Sequence, residues 1–378
     1  MRDFEKKNAY FDGLLADPQL KWLGQNTNHV PMHPAVRKAM IEAVETESFH
    51  AYAPPAGLEA LRKAVVADLG LGGDASALIT DGAVGGLFLV CRAFCKPGTN
   101  FVTTDPGWKW PMQFARQAGA EVREIPIYSA ENAYRLTPAM LEDAVDEKTS
   151  IIYIVDPNNP LGICYTEGEI KAFCTIARKV GAIFLHDCTY RDFAYSHTLA
   201  ARFYPERSVT SYSFSKWLGL AGMRVGALVS SLDIIEFLAE LSPTTLGGSM
   251  VAQRGALAGL AVKNEWMATV QSIQRRNQQA IADTVAGIDG LSLPVYPSNG
   301  NFLVIECADL GIAPEALVHA YQQRGIMIRQ GRYHTPRFGD RFIKVSTTVP
   351  ESWIDEFCAL LPEMIETARG VNATDQLF

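Results

Sequence analysis

The stretch SFSKWLGLAGMRVG at residues 213–226 decides the reading of this 378-residue chain, because it sets Lys216 among donor side chains on a glycine-rich turn. Lys216 is a candidate amine nucleophile for an aldehyde, the chemistry of a Schiff base. A phosphorylated aldehyde also needs hydroxyl, backbone N–H and guanidinium donors close by, and Ser213, Ser215 and Arg224 supply the side-chain part of that set. Glycines at 219, 222 and 226 let the backbone turn closely around a bound group, which a plain surface helix does not need. The plainer alternative, a solvated lysine beside a loop, leaves this concentration of donors and glycines without a purpose.

Working outward, DPNNPLG at 156–162 follows the apolar run IIYIV, so a buried strand breaks into a Pro-Asn loop there. AIFLHDCTY at 182–190 repeats the pattern and ends its apolar run on Asp187, a carboxylate that is costly to bury unless it is paired. Tyr190 follows three residues later. ITDGAVGGLFLVCRAF at 79–94 reads as a strand end, a glycine turn and an apolar helix, which aims the amides of Gly82, Ala83 and Val84 at an anion. TTDPGWKWP at 103–111 places Trp108 beside Pro and Gly at another strand end. Upstream, HAYAPPAGLEALRKAV at 50–65 carries Tyr52 in a turn before a helix.

These segments, in this order, resemble the class I and II aminotransferases, fold type I pyridoxal-phosphate enzymes. The resemblance implies pyridoxal 5'-phosphate as cofactor, with Lys216 as its Schiff-base lysine. It also implies that Asp187 keeps the pyridine nitrogen protonated, which makes the ring an electron sink, while Asn159 and Tyr190 bond the ring oxygen. Trp108 falls where the family stacks an aromatic on the ring. Gly82, Ala83, Val84, Ser213, Ser215 and Arg224 fall where it binds the phosphate. Tyr52 matches a tyrosine that reaches the neighbouring subunit's phosphate, so a homodimer with shared active sites is the expectation. The sequence departs from the family pattern at Asp156, which replaces an asparagine without obvious consequence, and at Cys188 and Thr189 inside the D-x-x-Y segment.

The substrate side has drifted further. A late-strand arginine usually holds the substrate carboxylate in this family, and the chain has Lys344 there, within FIKVS. Lysine keeps the charge and loses the planar fork. Arg329 in IMIRQGRYH resembles an anion-binding arginine of the histidinol-phosphate aminotransferase branch, and Arg332 is a neighbouring alternative. GQNTNHVPMHP at 24–34 aligns with the loop that covers the substrate, which nominates Asn28 and His29 for substrate contact or proton transfer. The expected reaction is transfer of an amino group between an amino acid and a 2-oxo acid. DCTYRDF, the His29 position and YHTPRFGDRFIKVS are also similar to the arginine-hydroxylating and hydroxyarginine-cyclising branch. That similarity implies the alternative of a non-transaminating lyase, cyclase or oxygen-using deaminase acting on an amino acid such as an arginine derivative.

Composition agrees with this reading. The net charge of −7, from 34 basic and 41 acidic residues, argues against a nucleic-acid surface. The segment MRDFEKKNAYF lacks an apolar signal core and no run is long enough to span a membrane, so neither a membrane nor a nucleic-acid partner is expected and the cytoplasm is the expected compartment. The seven cysteines show no metal-ligand spacing, and no metal is expected; Cys91 and Cys95 fall one helical turn apart, as packing residues do. The length exceeds a single core, so two domains are expected. Alternating strand and helix signals from about residue 75 to 230 predict an α/β fold, a mainly parallel sheet between helices. With the resemblance, this becomes a large cofactor-binding domain over 46–270 and a smaller α+β domain over 271–378, to which residues 1–45 contribute an arm and a part.

Overall fold

Short β-branched and aromatic runs form strands here because each, once buried, must find partners for its backbone N–H and C=O groups. The computed structural model describes residues 3–242 and 246–370. The chain opens with α1 (Asp3–Ala16), β1 (Lys21–Trp22), α2 (Pro34–Glu45) and α3 (Glu59–Asp68). An alternating series follows: β2 (Ala75–Asp81), α4 (Gly82–Phe94), β3 (Asn100–Asp105), α5 (Lys109–Gln117), β4 (Glu121–Pro126) and α6 (Pro138–Ala144). It continues through β5 (Thr149–Val155), α7 (Glu167–Val180), β6 (Ile183–Asp187), β7 (Ser208–Ser213) and β8 (Val225–Ser231). Helices α8 (Leu232–Glu240), α9 (Met250–Ala261) and α10 (Lys263–Ala286) lead away from the sheet. The last part holds β9 (Phe302–Glu306), α11 (Pro314–Gln322), β10 (Ile326–Met327), β11 (Arg329–Gln330), β12 (Phe342–Ser346) and α12 (Glu351–Arg369).

The large sheet has the order β2-β8-β7-β6-β5-β3-β4, with β8 antiparallel to both its neighbours and the other pairings parallel. The mainly parallel sheet expected from the alternation is therefore present. Strand β8 can reverse because a tight connection joins it directly to β7, whereas parallel neighbours need a crossover. That connection is the glycine-rich turn carrying Lys216. Strand β5 shows why such strands read as continuous apolar runs: Ile151, Tyr153 and Val155 enter one core cluster while Ile152 and Ile154 enter another on the opposite face. Two helix starts follow from capping. Thr137 accepts from the Met140 N–H ahead of Pro138, and Thr166 with Glu169 forms a capping box on α7. The helical stretch that starts at Met250 is divided at Val262, where the backbone leaves helical angles.

A third cluster packs Ile281, Ile305, Ile343, Val345 and Phe357 together with Leu23 from near the start of the chain. The antiparallel sheet β11-β12-β9 and the parallel pair β1-β10 frame it. The segment after β1 is tied across to this unit: Ser346 N–H donates to Leu23 O (2.7 Å), Asn26 N–H donates to Ser346 Oγ (2.8 Å) and Asn301 Nδ2 donates to Asn26 O (3.0 Å).

Phe184 of β6 is fully buried on the sheet face away from Val155. Phe184→Ala should cost about 3–5 kcal/mol, a lost transfer term plus the cavity left behind, and lower the thermal midpoint measured by calorimetry. An unchanged midpoint would mean that this face collapses around the missing ring.

Candidate active site

Six strands of the large sheet end on one edge, and the loops that leave five of them enclose a cavity of about 560 Å³ closed by β11 and β12. The C-terminal edge of a parallel sheet is where ligands collect, since loops diverge there and helix N-termini point inward. Val155 and Asp187 line the cavity from the last positions of β5 and β6, Ser213 from the last of β7, and Ala83 and Val84 from the first turn of α4. Trp108, Asn159, Tyr190, Ser215, Lys216, Arg224, Arg329 and Lys344 complete the set of predicted residues that the fold brings to this one cavity.

Asp187 is the buried charge of the site. Tyr153 donates its hydroxyl to Oδ2 (2.9 Å), and Thr189 donates both its hydroxyl (2.6 Å) and its N–H (3.2 Å) to Oδ1. Burial pushes the Asp187 carboxyl above the ordinary carboxylate value and outweighs these bonds, which pull it down. A cationic partner in the cavity would restore full ionisation, and a protonated pyridine nitrogen is such a partner. Thr189 thus explains one departure from the family pattern, because it supplies hydrogen bonds to the carboxylate it follows.

Lys216 keeps partial exposure towards the cavity while protein surrounds its ammonium group, which donates to Gln25 O (3.0 Å). Burial, with Arg224 adding its charge, lowers its pKa to about 8. Arg224 sits in the left-handed region (φ 52°) and donates Nη1 to Ala221 O (2.8 Å). Its guanidinium lies over Gly82 (φ 70°), where an added Cβ would come 2.5 Å from Nη2. A Cβ on Gly226 would strike the backbone of Gly82 and Ala83. These close approaches make a cradle of amides, hydroxyls and one guanidinium that fits a phosphate, and amine, carboxylate and cradle together fit pyridoxal phosphate.

The opposite wall is cationic. Lys344 and Arg329 are cross-strand partners on β12 and β11. Lys344 is 2% exposed, and its Nζ lies 3.4 Å from Asn159 Oδ1 and 5.3 Å from the Phe302 ring centre. Burial first, then Arg329 and Lys216, hold its pKa well below the ordinary lysine value. Tyr333 is sandwiched between Lys109 Nζ, 4.2 Å from its ring centre, and the Arg329 guanidinium at 4.5 Å.

Gly82, Asn28, His29 and Tyr52 stand outside the cavity lining, as does the alternative Arg332. Asn28 donates Nδ2 to Trp217 O (3.1 Å) and accepts from Val30 N–H (3.0 Å), so its amide braces the loop. His29 pairs with Thr27 Oγ1 (2.7 Å) and packs on Trp353, ring centres 5.4 Å apart, and burial lowers its pKa. Tyr52 is 81% exposed. Conversely, Asn26, Tyr153, Thr189, Tyr333 and His334 were not singled out. Asn26 lines the cavity in the left-handed region (φ 54°) and donates Nδ2 to Tyr190 Oη (3.0 Å). Its signal was available, since asparagine tolerates that conformation and lies two residues before Asn28. Tyr153 also had one: it shares a strand face with Val155, two positions on.

Asp156, expected to replace asparagine without consequence, proves to have one. Its carboxylate lies 3.3 Å from Nε2 of both His186 and His197 and accepts from Tyr165 N–H (3.1 Å). Burial works against ionisation, but the two imidazoles outweigh it and hold the carboxyl below its ordinary value. His186 accepts from Ala200 N–H at Nδ1 (3.2 Å), which assigns its proton to Nε2. His186, Cys188 and His197 have ligand-type atoms within 4.8 Å of one another, yet both nitrogens of His186 are already bonded within the protein.

Comparison with known proteins follows the same lines. The family described as aminotransferase class I and II matches residues 18–361. A histidinol-phosphate aminotransferase of Geobacillus thermodenitrificans is 30% identical over 319 residues, covering 82% of this chain and 81% of the relative. One from Shouchella clausii is 29% identical over 358 residues, covering 92% and 90%. Among solved structures, N-succinyldiaminopimelate aminotransferase from Mycobacterium tuberculosis superposes with a TM-score of 0.84 at 20% identity over 94% of this chain and 96% of that one. A Thermus thermophilus aspartate aminotransferase double mutant superposes at 0.82 and 21%, over 96% and 97%. At those identities the structural likeness speaks for the fold alone. No helix among the described residues is long and apolar enough to cross a membrane.

The lowered pKa of Lys216 has a measurable consequence. When apoprotein is mixed with pyridoxal phosphate across a pH series, the association rate should rise with the neutral-amine fraction, with a midpoint near 8 in place of the 10.5 of an ordinary lysine. A midpoint at the ordinary value would remove burial as the activating cause.

Proposed function

The chain belongs to the class I and II aminotransferases, and from that premise we propose that its cavity holds an amino acid by the α-carboxylate on Lys344 and Arg329 while Lys216 serves the reacting carbon. The protein is a pyridoxal-phosphate-dependent aminotransferase. Bound pyridoxal phosphate supplies an aldehyde for amines and a ring that withdraws electrons from the carbon being deprotonated. Asp187 would hold the proton on the ring nitrogen. Asn159 and Tyr190 would bond the ring oxygen, Trp108 would stack on the ring, and Ser213, Ser215, Arg224 and the amides of Gly82, Ala83 and Val84 would hold the phosphate. Lys216 Nζ would move the proton to and from the α carbon, and its lowered pKa raises the neutral-base fraction near neutrality.

The observation that carries the carboxylate anchor is the setting of Lys344. It is a buried amine on the cavity wall that meets an amide oxygen and an aromatic face, with no carboxylate paired to it among the described residues. A buried ammonium without a carboxylate partner is costly, and a substrate carboxylate removes that cost. It also raises the depressed pKa of Lys344, so binding favours the protonated amine. The proposed assembly is a homodimer in which the exposed Tyr52 reaches the phosphate in the partner's cavity.

Lys344→Ala should raise the KM for amino acids by about tenfold or more, the loss expected when one charge-assisted hydrogen bond goes, and leave cofactor binding intact. Lys344→Arg should retain most of the activity. The substrate panel should include histidinol phosphate, the compound in the relatives' name. An unchanged KM in Lys344→Ala would move the anchor elsewhere. For the shared site, an inactive Lys216→Ala protein mixed with a Tyr52→Ala protein should recover activity through heterodimers. No recovery after confirmed subunit exchange would place Tyr52 outside the partner's site.

A further inference from the structure

His334 follows the short turn Gly331–Tyr333 and lines the same cavity. Its side chain is buried, 5% exposed, and neither Nδ1 nor Nε2 has a hydrogen-bond partner among the described residues. A neutral imidazole offers one donor and one acceptor, and leaving both unmade in a buried setting is destabilising. Such an arrangement persists where a ligand completes it. We propose that His334 is a specificity residue that hydrogen-bonds a polar group on the substrate's side chain, and so selects amino acids with a polar side chain over apolar ones of similar length.

The loop holds the imidazole in place for such a contact. His334 N–H donates to Gly331 O (2.8 Å), and the Tyr333 ring packs edge-on against the imidazole with centres 5.0 Å apart. The Tyr333 ring is itself clamped between Lys109 and Arg329. Thr335 Oγ1 accepts from the N–H groups of Arg337 (3.2 Å) and Phe338 (3.3 Å), and the close approach of Gly339 to the Thr335 carbonyl leaves no space for a Cβ. A residue fixed in this way gives its hydrogen bonds with little ordering cost on binding. Burial, followed by the charges of Lys344, Arg329 and Lys109, keeps the imidazole in its neutral form. His334 thus retains an acceptor as well as a donor on a wall otherwise made of cations. The cofactor candidates reach the cavity from the sheet edge and from the β7–β8 turn, whereas His334 stands with Lys344 and Arg329 on the facing side.

This inference rests on the reading that the cavity takes an amino acid. The test measures the half-reaction of the holoenzyme by cofactor absorbance with length-matched donors, glutamate and glutamine against norleucine and methionine. In the unsubstituted enzyme the polar donors should have the higher kcat/KM, because an apolar side chain leaves the imidazole unpaired. His334→Ala and His334→Leu should reduce the polar-to-apolar ratio by about tenfold or more, through loss with polar donors and little change or a gain with apolar ones. His334→Asn, which keeps a donor and an acceptor, should restore part of the ratio. An equal fall for both classes would overturn the proposal, since loss of structure or of the α-carboxylate contact affects every donor alike. A ratio unchanged by all three substitutions would overturn it too. If the unsubstituted enzyme converts no amino acid, the failure belongs to the cavity reading itself, and that outcome is distinct from a ratio that does not respond.

Discussion

A carboxylate with no solvent, at the end of a central strand, is the constraint around which the site is organised. Asp187 can sit there because Tyr153 from the neighbouring strand and Thr189 from the following loop donate to it, and because its open side faces the cavity. Those bonds do not fully offset burial, which leaves the group in need of a cation. The register of β5 with β6 follows from this, since Val155 lies opposite Asp187 and so brings Tyr153 to the same face two residues back. Behind the strand end, Asp156 bonds its own N–H to Asp187 O (2.9 Å) while its side chain lies between His186 and His197. The backbone beneath the Asp187 carboxylate is therefore tied by a second buried charge.

The amine that answers Asp187 across the cavity depends on a different device. Because β8 runs antiparallel to β7, the connection between them stays at the functional edge, and Lys216 and Arg224 leave it side by side. Burial, with repulsion from Arg224 added, makes the lysine easier to deprotonate than an ordinary one. Backbone contact between Gly226 and the start of α4 brings the helix N-terminus against the same turn, so the helix amides, Arg224 and the lysine form one unit. A larger residue at 226 would separate them.

The facing wall comes from the far ends of the chain. Leu23 and Asn26 are stitched to Ser346 and Asn301, which sets the segment carrying Gln25 against Lys216 and places Asn26 on Tyr190. Strands β11 and β12 then bring Arg329 and Lys344 opposite each other. The cations of this wall meet aromatic faces and an amide, a weakly hydrated setting in which an anionic ligand gains most.

Sequence alone determined the features that are local. An apolar run that ends in Asp187 or in DPNNPLG, a glycine turn opening an apolar helix, and a lysine between serines and glycines are each written within about a dozen positions, because strand periodicity and turn chemistry act over that range. The alternation of these units also fixed the α/β class, since parallel strands need crossovers. Tertiary structure decided which polar side chains complete them. Asn26 meets Tyr190, and Lys344 meets Asn159, across more than a hundred residues of chain. Asn28 and His29 share a loop with Asn26 yet turn to Trp217 and Trp353, a division that depends on one left-handed residue and on the surfaces that segment packs against. The unpaired His334 and the Asp156 cluster are equally products of packing, because burial and the loss of water, which give those groups their chemical character, are properties of the folded assembly and not of neighbouring residues.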